Sequence, residues 1–218
     1  MIFKRPSMNY PLSAIVRCLQ IILLTAALAH IASGGWIQAK ALLAQYLIAR
    51  AWEDRAGDAP WPWADTWPVA RLRAPALGVE RLVLAGDSGH ALAFGPGHAN
   101  ASAQLGTAGL AVIGGHRDTH FAFLEGLPAN TRLQLQLPSG ELRHYRLAGQ
   151  HIIDASLQDL DASSVEESLL LVTCYPFNSL QSGGSLRYVV RAVPERPIPG
   201  FADKHDSTAT GAGSGPKL

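Results

Sequence analysis

Cysteine is almost missing from this chain. Cys18 and Cys174 are the only two in 218 residues, so at most one disulfide is available. Cys18 lies in an N-terminal apolar stretch, which argues against a bond to Cys174. A disulfide-stapled fold is therefore excluded, and stability must come from a buried core, for which the chain is long enough. Charge is scarce too: Asp, Glu, Lys and Arg make up 16% of the residues, and the formal net charge is +1. No Lys/Arg-rich cluster is present, so the composition gives no basis for nucleic-acid binding. No acidic cluster has the pattern of a calcium loop, and there is no internal repeat. Tryptophan is missing beyond residue 67: all five, Trp36, Trp52, Trp61, Trp63 and Trp67, precede residue 70. What is abundant is apolar surface, 48% of the residues, which fits a globular core joined to a membrane segment.

That segment is at the start. Lys4, Arg5 and Arg17 precede or open the apolar run that begins at Cys18. With its flanks, the run approaches the ~20 residues that span a bilayer. Basic residues before it and few after it place the N-terminus in the cytoplasm. Ala27-Leu28-Ala29 also fits a small-residue cleavage site, so a removed signal peptide is the rival to an uncleaved anchor. The next stretch, Trp36 to Trp52, is rich in Ala and Leu, lacks Gly and Pro, and predicts a helix that packs on the following domain or lies at a membrane surface. DAPWPWADTWP follows, where proline forbids regular helix. Its tryptophans suit an interfacial belt or core plug, with a substrate-docking face as the second reading.

From Val69 the pattern is β. VARLRAP and VERLVLAG are short strands separated by Gly or Pro, and ALAFGPGHAN ends in a turn-rich loop. Leu110 to Ile113 is a buried strand, broken by Gly114-Gly115. HRDTHFAFLEGLPAN reads as a loop with one helical turn. TRLQLQL alternates, with Leu133, Leu135 and Leu137 on one face, and Pro138-Ser139-Gly140 turns it into ELRHYRLAGQHII. A spacer from Asp154 to Ser168 leads to the strand Leu169 to Val172, and Ser182 to Ser185 turns into a last strand, Leu186 to Ala192. Seven or eight short strands predict an all-β barrel or sandwich.

Cys174 ends one of these strands, and Arg187 opens the next. Adjacent strands would bring both to one rim, where a thiol nucleophile needs a base and an oxyanion donor. His116, the first side chain beyond Gly114-Gly115, is the candidate partner. These stretches, LLVTCYP, then SLRYVVRA, with IGGHRDTHFAFL before them, resemble the sortase family. PWPWADTWPVARL, LAFGPGH and GHRDTHF are similar to its Gram-negative class GN subgroup. The resemblance covers Trp36 to Pro194. One departure is L-V-T-C where the best-known members have T-L-T-C; the Thr-Cys pair is kept.

The resemblance implies a closed sortase-type β-barrel of about eight strands with short helices, preceded by an N-terminal transmembrane helix. It implies four regions: 1–36 cytoplasmic N-terminus and anchor, 37–68 juxtamembrane helix and Trp/Pro-rich segment, 69–194 catalytic barrel, 195–218 disordered tail. Cys174 is then the nucleophile, His116 the acid and base, and Arg187 the oxyanion donor. Thr173, Asp118 and Ser185 are substrate-binding candidates, Asp118 also as a residue orienting His116. The implied substrate is a secreted protein with an LPXTG-like signal, passed to an amine acceptor, at the inner membrane with the barrel in the periplasm. No cofactor or metal is required. Another thiol acyl-transfer enzyme or protease, or a non-catalytic peptide-binding barrel, remains an alternative. His116 and His120 have metal-ligand spacing but lack the Glu of a zinc helix motif, and GPGH lacks the Lys of a phosphate loop.

Overall fold

The computed structural model describes residues 12–157, 165–179 and 183–195. The extreme N-terminus, the start of the Ser182 to Ser185 turn and the Gly-rich tail expected to be disordered lie outside the described residues, Glu195 of the tail excepted.

The N-terminal apolar run and the helix predicted from Trp36 are one continuous helix, α1 (Leu12–Arg55, 44 residues). Gly34 and Gly35 do not interrupt it: each costs roughly 1 kcal/mol relative to alanine, which Ala- and Leu-rich neighbours tolerate. From Ile15 to Leu43 no apolar side chain of α1 is buried, and the helix is long and apolar enough to cross a membrane. Packing begins at Ala44, Ile48 and Trp52, which share one face at four-residue spacing and turn against the rest of the chain. The Arg71 guanidinium lies over the Trp52 ring, 5.4 Å from its centroid, and pairs with Glu53.

Eight strands close a barrel: β1 (Pro68–Ala74), β2 (Val79–Ala85), β3 (Gly97–His98), β4 (Leu110–Gly114), β5 (Arg132–Gln136), β6 (Leu142–Asp154), β7 (Ser168–Cys174) and β8 (Leu186–Pro194). Their order around the ring is β1-β2-β3-β4-β7-β8-β6-β5, with β5 pairing back onto β1. Pairs β2–β3 and β4–β7 are parallel and the others antiparallel. The two-residue period of a strand sends alternate side chains inward. Leu72, Ile113, Leu133, Leu135, Leu169, Leu171 and Val190 fill the interior with Phe121 and Tyr145. The predicted helical turn in the 116–130 loop is a short 3₁₀ turn, Ala122–Leu124.

ALAFGPGHAN holds more than a loop: a short helix, α2 (Gly89–Phe94), capped by the Ser88 hydroxyl, and strand β3. β3 has only two residues, so it carries no periodicity to read. It forms because the chain can approach itself there. A Cβ on Gly97 would lie 2.1 Å from the Gly86 carbonyl oxygen.

Candidate active site

β7 alternates in burial so that Leu169, Leu171 and Thr173 face the interior while Leu170, Val172 and Cys174 face outward. Outside the barrel, Leu170 packs with Leu110 of β4 and Val189 of β8, flanked by Val112, Val172 and Ile153. This outer apolar floor ends at Cys174, which is half-buried. In the β7–β8 ladder Cys174 is the direct partner of Arg187, and on the other side of β8 Arg187 pairs with Ile153 of β6. Opposed residues of an antiparallel pair share a face, so the side chains of Cys174 and Arg187 leave the same face of the sheet at one end of the floor.

His116 arrives from the neighbouring strand. Gly114 pairs with Val172, and the Gly115 N–H donates to the Val172 carbonyl at 3.0 Å. The Thr173 hydroxyl donates to the Gly115 carbonyl at 2.7 Å. The chain leaves β4 locked against the two residues before the cysteine, and His116 follows, exposed to solvent. Gly115 has to be small here, because a Cβ would lie 2.8 Å from the buried Phe121 ring. The His116 carbonyl accepts from the Phe121 N–H at 2.9 Å, which folds the loop back. Arg117 donates to the Ser179 carbonyl at 2.7 Å, and Asn178 to the Glu125 carboxylate at 3.2 Å. The loops after His116 and after Cys174 are thus tied together.

The other sequence candidates fall in different places. Thr173 is 2% exposed with its hydroxyl engaged, so its side chain clamps strand to loop from the inward face of β7. Asp118 is exposed, and its charge acts on His120. Among the described residues, no hydrogen bond joins Asp118 to His116. Ser185 lies near the Asp154 carboxylate and helps to hold its carboxyl low, and the Ser185 carbonyl accepts from the Ala155 N–H at 3.0 Å.

Three features escaped the sequence reading. Asp154 ends β6 beside Arg187. The Ser156 hydroxyl and N–H donate to it at 2.6 and 2.9 Å and, with Ser185 and the Arg187 charge, hold its carboxyl below the usual range. Asp-Ala-Ser is a local turn signature that marks it. Tyr175, Phe177 and Tyr188 form an aromatic cluster around the residue after the thiol, Tyr175 stacking on Tyr188 at 6.3 Å and Phe177 meeting Tyr188 edge-on at 5.2 Å. His120 lines a cavity of about 440 Å³ with Arg81, Gln45 and Ile48. Burial, then the charges of Arg81 and His116, push its imidazole below the ordinary histidine value, against the pull of Asp118.

Arg187 itself donates from Nη1 to the carbonyls of Gly184 at 2.6 Å and Leu186 at 3.0 Å. Its fork carries further N–H donors. A nucleophile, a proton-transfer group and a fixed cation on one outer rim can support acyl transfer through sulfur. Among the described residues, no group of three or more His, Cys, Asp and Glu side chains can hold a metal ion.

The sortase domain family model matches residues 72–195, from β1 to the end of β8. Among solved structures, sortase A from Corynebacterium diphtheriae superposes with a TM-score of 0.54 at 21% identity, over 75% of this chain and 86% of that one. Sortase C2 of the Group B Streptococcus pilus island 1 gives 0.52 at 20% identity, over 59% and 74%. Sortase C1 of Streptococcus agalactiae gives 0.53 at 22% identity, over 60% and 69%. At these identities the structures speak for the fold alone. No curated protein sequence matches the chain.

Proposed function

The chain belongs to the sortase domain family, and from that premise we propose that it is a membrane-anchored cysteine transpeptidase acting on secreted proteins that carry an LPXTG-like sorting signal. The observation that carries this reading is the direct pairing of Cys174 with Arg187, with the His116 loop locked to the same strand end. The Cys174 thiol passes its proton to His116 as the sulfur attacks the carbonyl carbon of the signal's threonine, and the carbonyl π electrons move onto the oxygen. Arg187 exchanges a backbone carbonyl for this oxyanion, which a fixed cationic donor stabilises more than the neutral ground state. As the tetrahedral centre collapses, the C–N bond breaks and His116 delivers a proton to the leaving amine. A thioester on Cys174 remains. An incoming amine attacks the thioester as His116 takes its proton, the C–S bond breaks, and His116 returns that proton to the Cys174 sulfur.

Thr173 serves here as the clamp between nucleophile strand and base loop, and Ser185 and Asp118 border the substrate path. The four regions, 1–36, 37–68, 69–194 and 195–218, belong to this reading, with α1 running unbroken across the first boundary. So does placement in the class GN subgroup, supported by PWPWADTWPVARL and GHRDTHF. Arg17 before the apolar run and Lys40 as the next charge favour a cytoplasmic N-terminus and a periplasmic barrel at the inner membrane.

The test is mass spectrometry of the intact protein incubated with LPXTG-variant peptides. The expected result is an acyl adduct on Cys174 that disappears in Cys174→Ala and is released by an added amine. Undiminished adduct in Cys174→Ala, or no adduct with any peptide, overturns the reading.

A further inference from the structure

The apolar stretch of α1 is longer than a bilayer requires. Between Cys18 and Ala49 the only formal charge is Lys40, and at 1.5 Å per residue that run is about 48 Å long. The hydrocarbon core takes about 30 Å, or ~20 residues. With Arg17 at the inner boundary, hydrocarbon ends near Ile37. The following turns, to Leu47, cross the headgroup layer and rise just above it. Dense charge returns only with Arg50, Glu53, Asp54 and Arg55.

At that height the fold builds an apolar groove. Its volume is about 680 Å³, between α1 and the Trp61 to Trp63 turn, and it is lined chiefly by Ile37, Leu43, Trp61, Trp63 and Phe94, with Lys40 at its edge. Trp61 is fixed edge-on against Phe94 of α2, with centroids 5.7 Å apart. Trp63 is 83% exposed, and Trp36, Leu42 and Tyr46 are exposed on neighbouring faces. A contiguous apolar patch of this kind marks an interaction surface. The Lys40 ammonium sits 5.7 Å from the centroid of the Trp36 ring, an apolar stem with a charged head that suits the headgroup layer.

We infer that this groove is a lipid-binding surface. Phospholipids of the barrel-side leaflet fill it, and Trp61, Trp63 and Phe94 sit at headgroup level, so the barrel is seated on the bilayer as well as tethered to it. Lipid is the occupant because the groove continues the apolar surface of the span along the same helix, with Lys40 the single charge at their junction. Its indole rings and single lysine are also the side chains that settle at an interface. The inference rests on α1 being an uncleaved anchor.

The test uses the full chain in phosphatidylcholine–phosphatidylglycerol vesicles, in a Cys18→Ser, Cys174→Ala background. Nitroxide is attached at Ala27→Cys, Trp63→Cys or Ser139→Cys, and collision with oxygen is compared with collision with a water-soluble nickel chelate. Position 27 reports the span, 63 the groove and 139 the exposed β5–β6 turn. The expected result is oxygen-rich relaxation at 27, free nickel access at 139, and nickel access at 63 several-fold below that at 139. Nickel access at 63 equal to that at 139, with 27 in lipid, overturns the inference and leaves the anchor standing. Water at position 27 overturns the anchor and the inference with it. Shielding at 63 accompanied by spin–spin broadening between copies assigns the groove to a second copy and overturns the lipid. Because the label removes an indole, brominated lipids are also applied to unlabelled protein: Trp63→Phe should lower the quenched fluorescence, and unchanged quenching speaks against the inference.

Discussion

Arg187 holds two carbonyls of its own turn, Gly184 and Leu186, and both can be exchanged for a substrate oxygen without breaking the barrel. Lysine keeps the charge but loses the planar fork. Arg187→Lys should therefore cost about 10²–10³-fold in kcat while leaving the melting temperature near that of the wild type. Steady-state kinetics beside thermal melts check this, and a variant that melts early but turns over normally removes the oxyanion role. His120 gives a prediction of different kind. Its folded-state proton affinity is depressed, first by burial and then by Arg81 and His116. Below the ordinary histidine value of about 6.5 the unfolded chain binds a proton that the folded chain resists, so acidification draws the equilibrium toward unfolding. Wild type should lose stability relative to His120→Gln as pH falls through that value, and the two should run parallel above it. Melting both variants from neutral to mildly acidic pH checks the sign, since the other ionisations cancel in the difference.

At the scale of elements, the site depends on β4 and β7 running parallel in register, so that a loop leaving one reaches the end of the other. The Thr173 hydroxyl on the Gly115 carbonyl is the bond that closes this junction. Valine has the same shape without the donor. Thr173→Val should cost about 1–3 kcal/mol, the usual result of leaving a buried acceptor unpaired. It should also lower acylation per folded molecule, because the loop that carries His116 is no longer tied to the end of the Cys174 strand. Thr173→Ser should restore most of both. Acylation rates normalised to folded protein distinguish this from a loss of stability alone. The same logic makes the Arg117 bond to the Ser179 carbonyl a second tie across the junction.

At the scale of the whole molecule, the barrel closes through its weakest member. β3 contributes two residues between β2 and β4, and Gly97 pairs with Leu84 on one side and Gly114 on the other. Gly114 lies two residues before His116, so the ring closure and the His116 loop share a foundation. An alanine at Gly97 puts a Cβ on the Gly86 carbonyl oxygen at 2.1 Å, and a backbone atom cannot step aside as a flexible side chain does. Gly97→Ala should destabilise by at least about 3 kcal/mol, beyond ordinary overpacking. Gly149→Ala, where no atom lies within 4 Å, should be close to neutral. Circular dichroism and thermal melts of the two, made in parallel, test whether closure depends on that contact.

The sequence by itself determined seven of the eight strands and marked Cys174, His116 and Arg187 as candidates for the site. Alternation in TRLQLQL, the apolar run before Cys174 and the Ser/Gly turn before Arg187 are local signals, and a period of two is visible wherever one face is buried. The apolar excess before residue 50 likewise marked a helix long enough for a membrane. The tertiary structure decided what no local pattern contains. Register makes Cys174 and Arg187 direct partners and not merely neighbours on a rim. Parallel pairing of β4 with β7 turns Thr173 inward as a clamp. Asp154, in what reads as a spacer, is brought beside Arg187 by strand pairing. β3 is invisible in sequence because two residues carry no period; it exists only because a missing Cβ lets two stretches of backbone meet. The groove at Trp61 and Trp63 belongs to the same class, since its two walls come from separate parts of the chain and only packing sets them face to face.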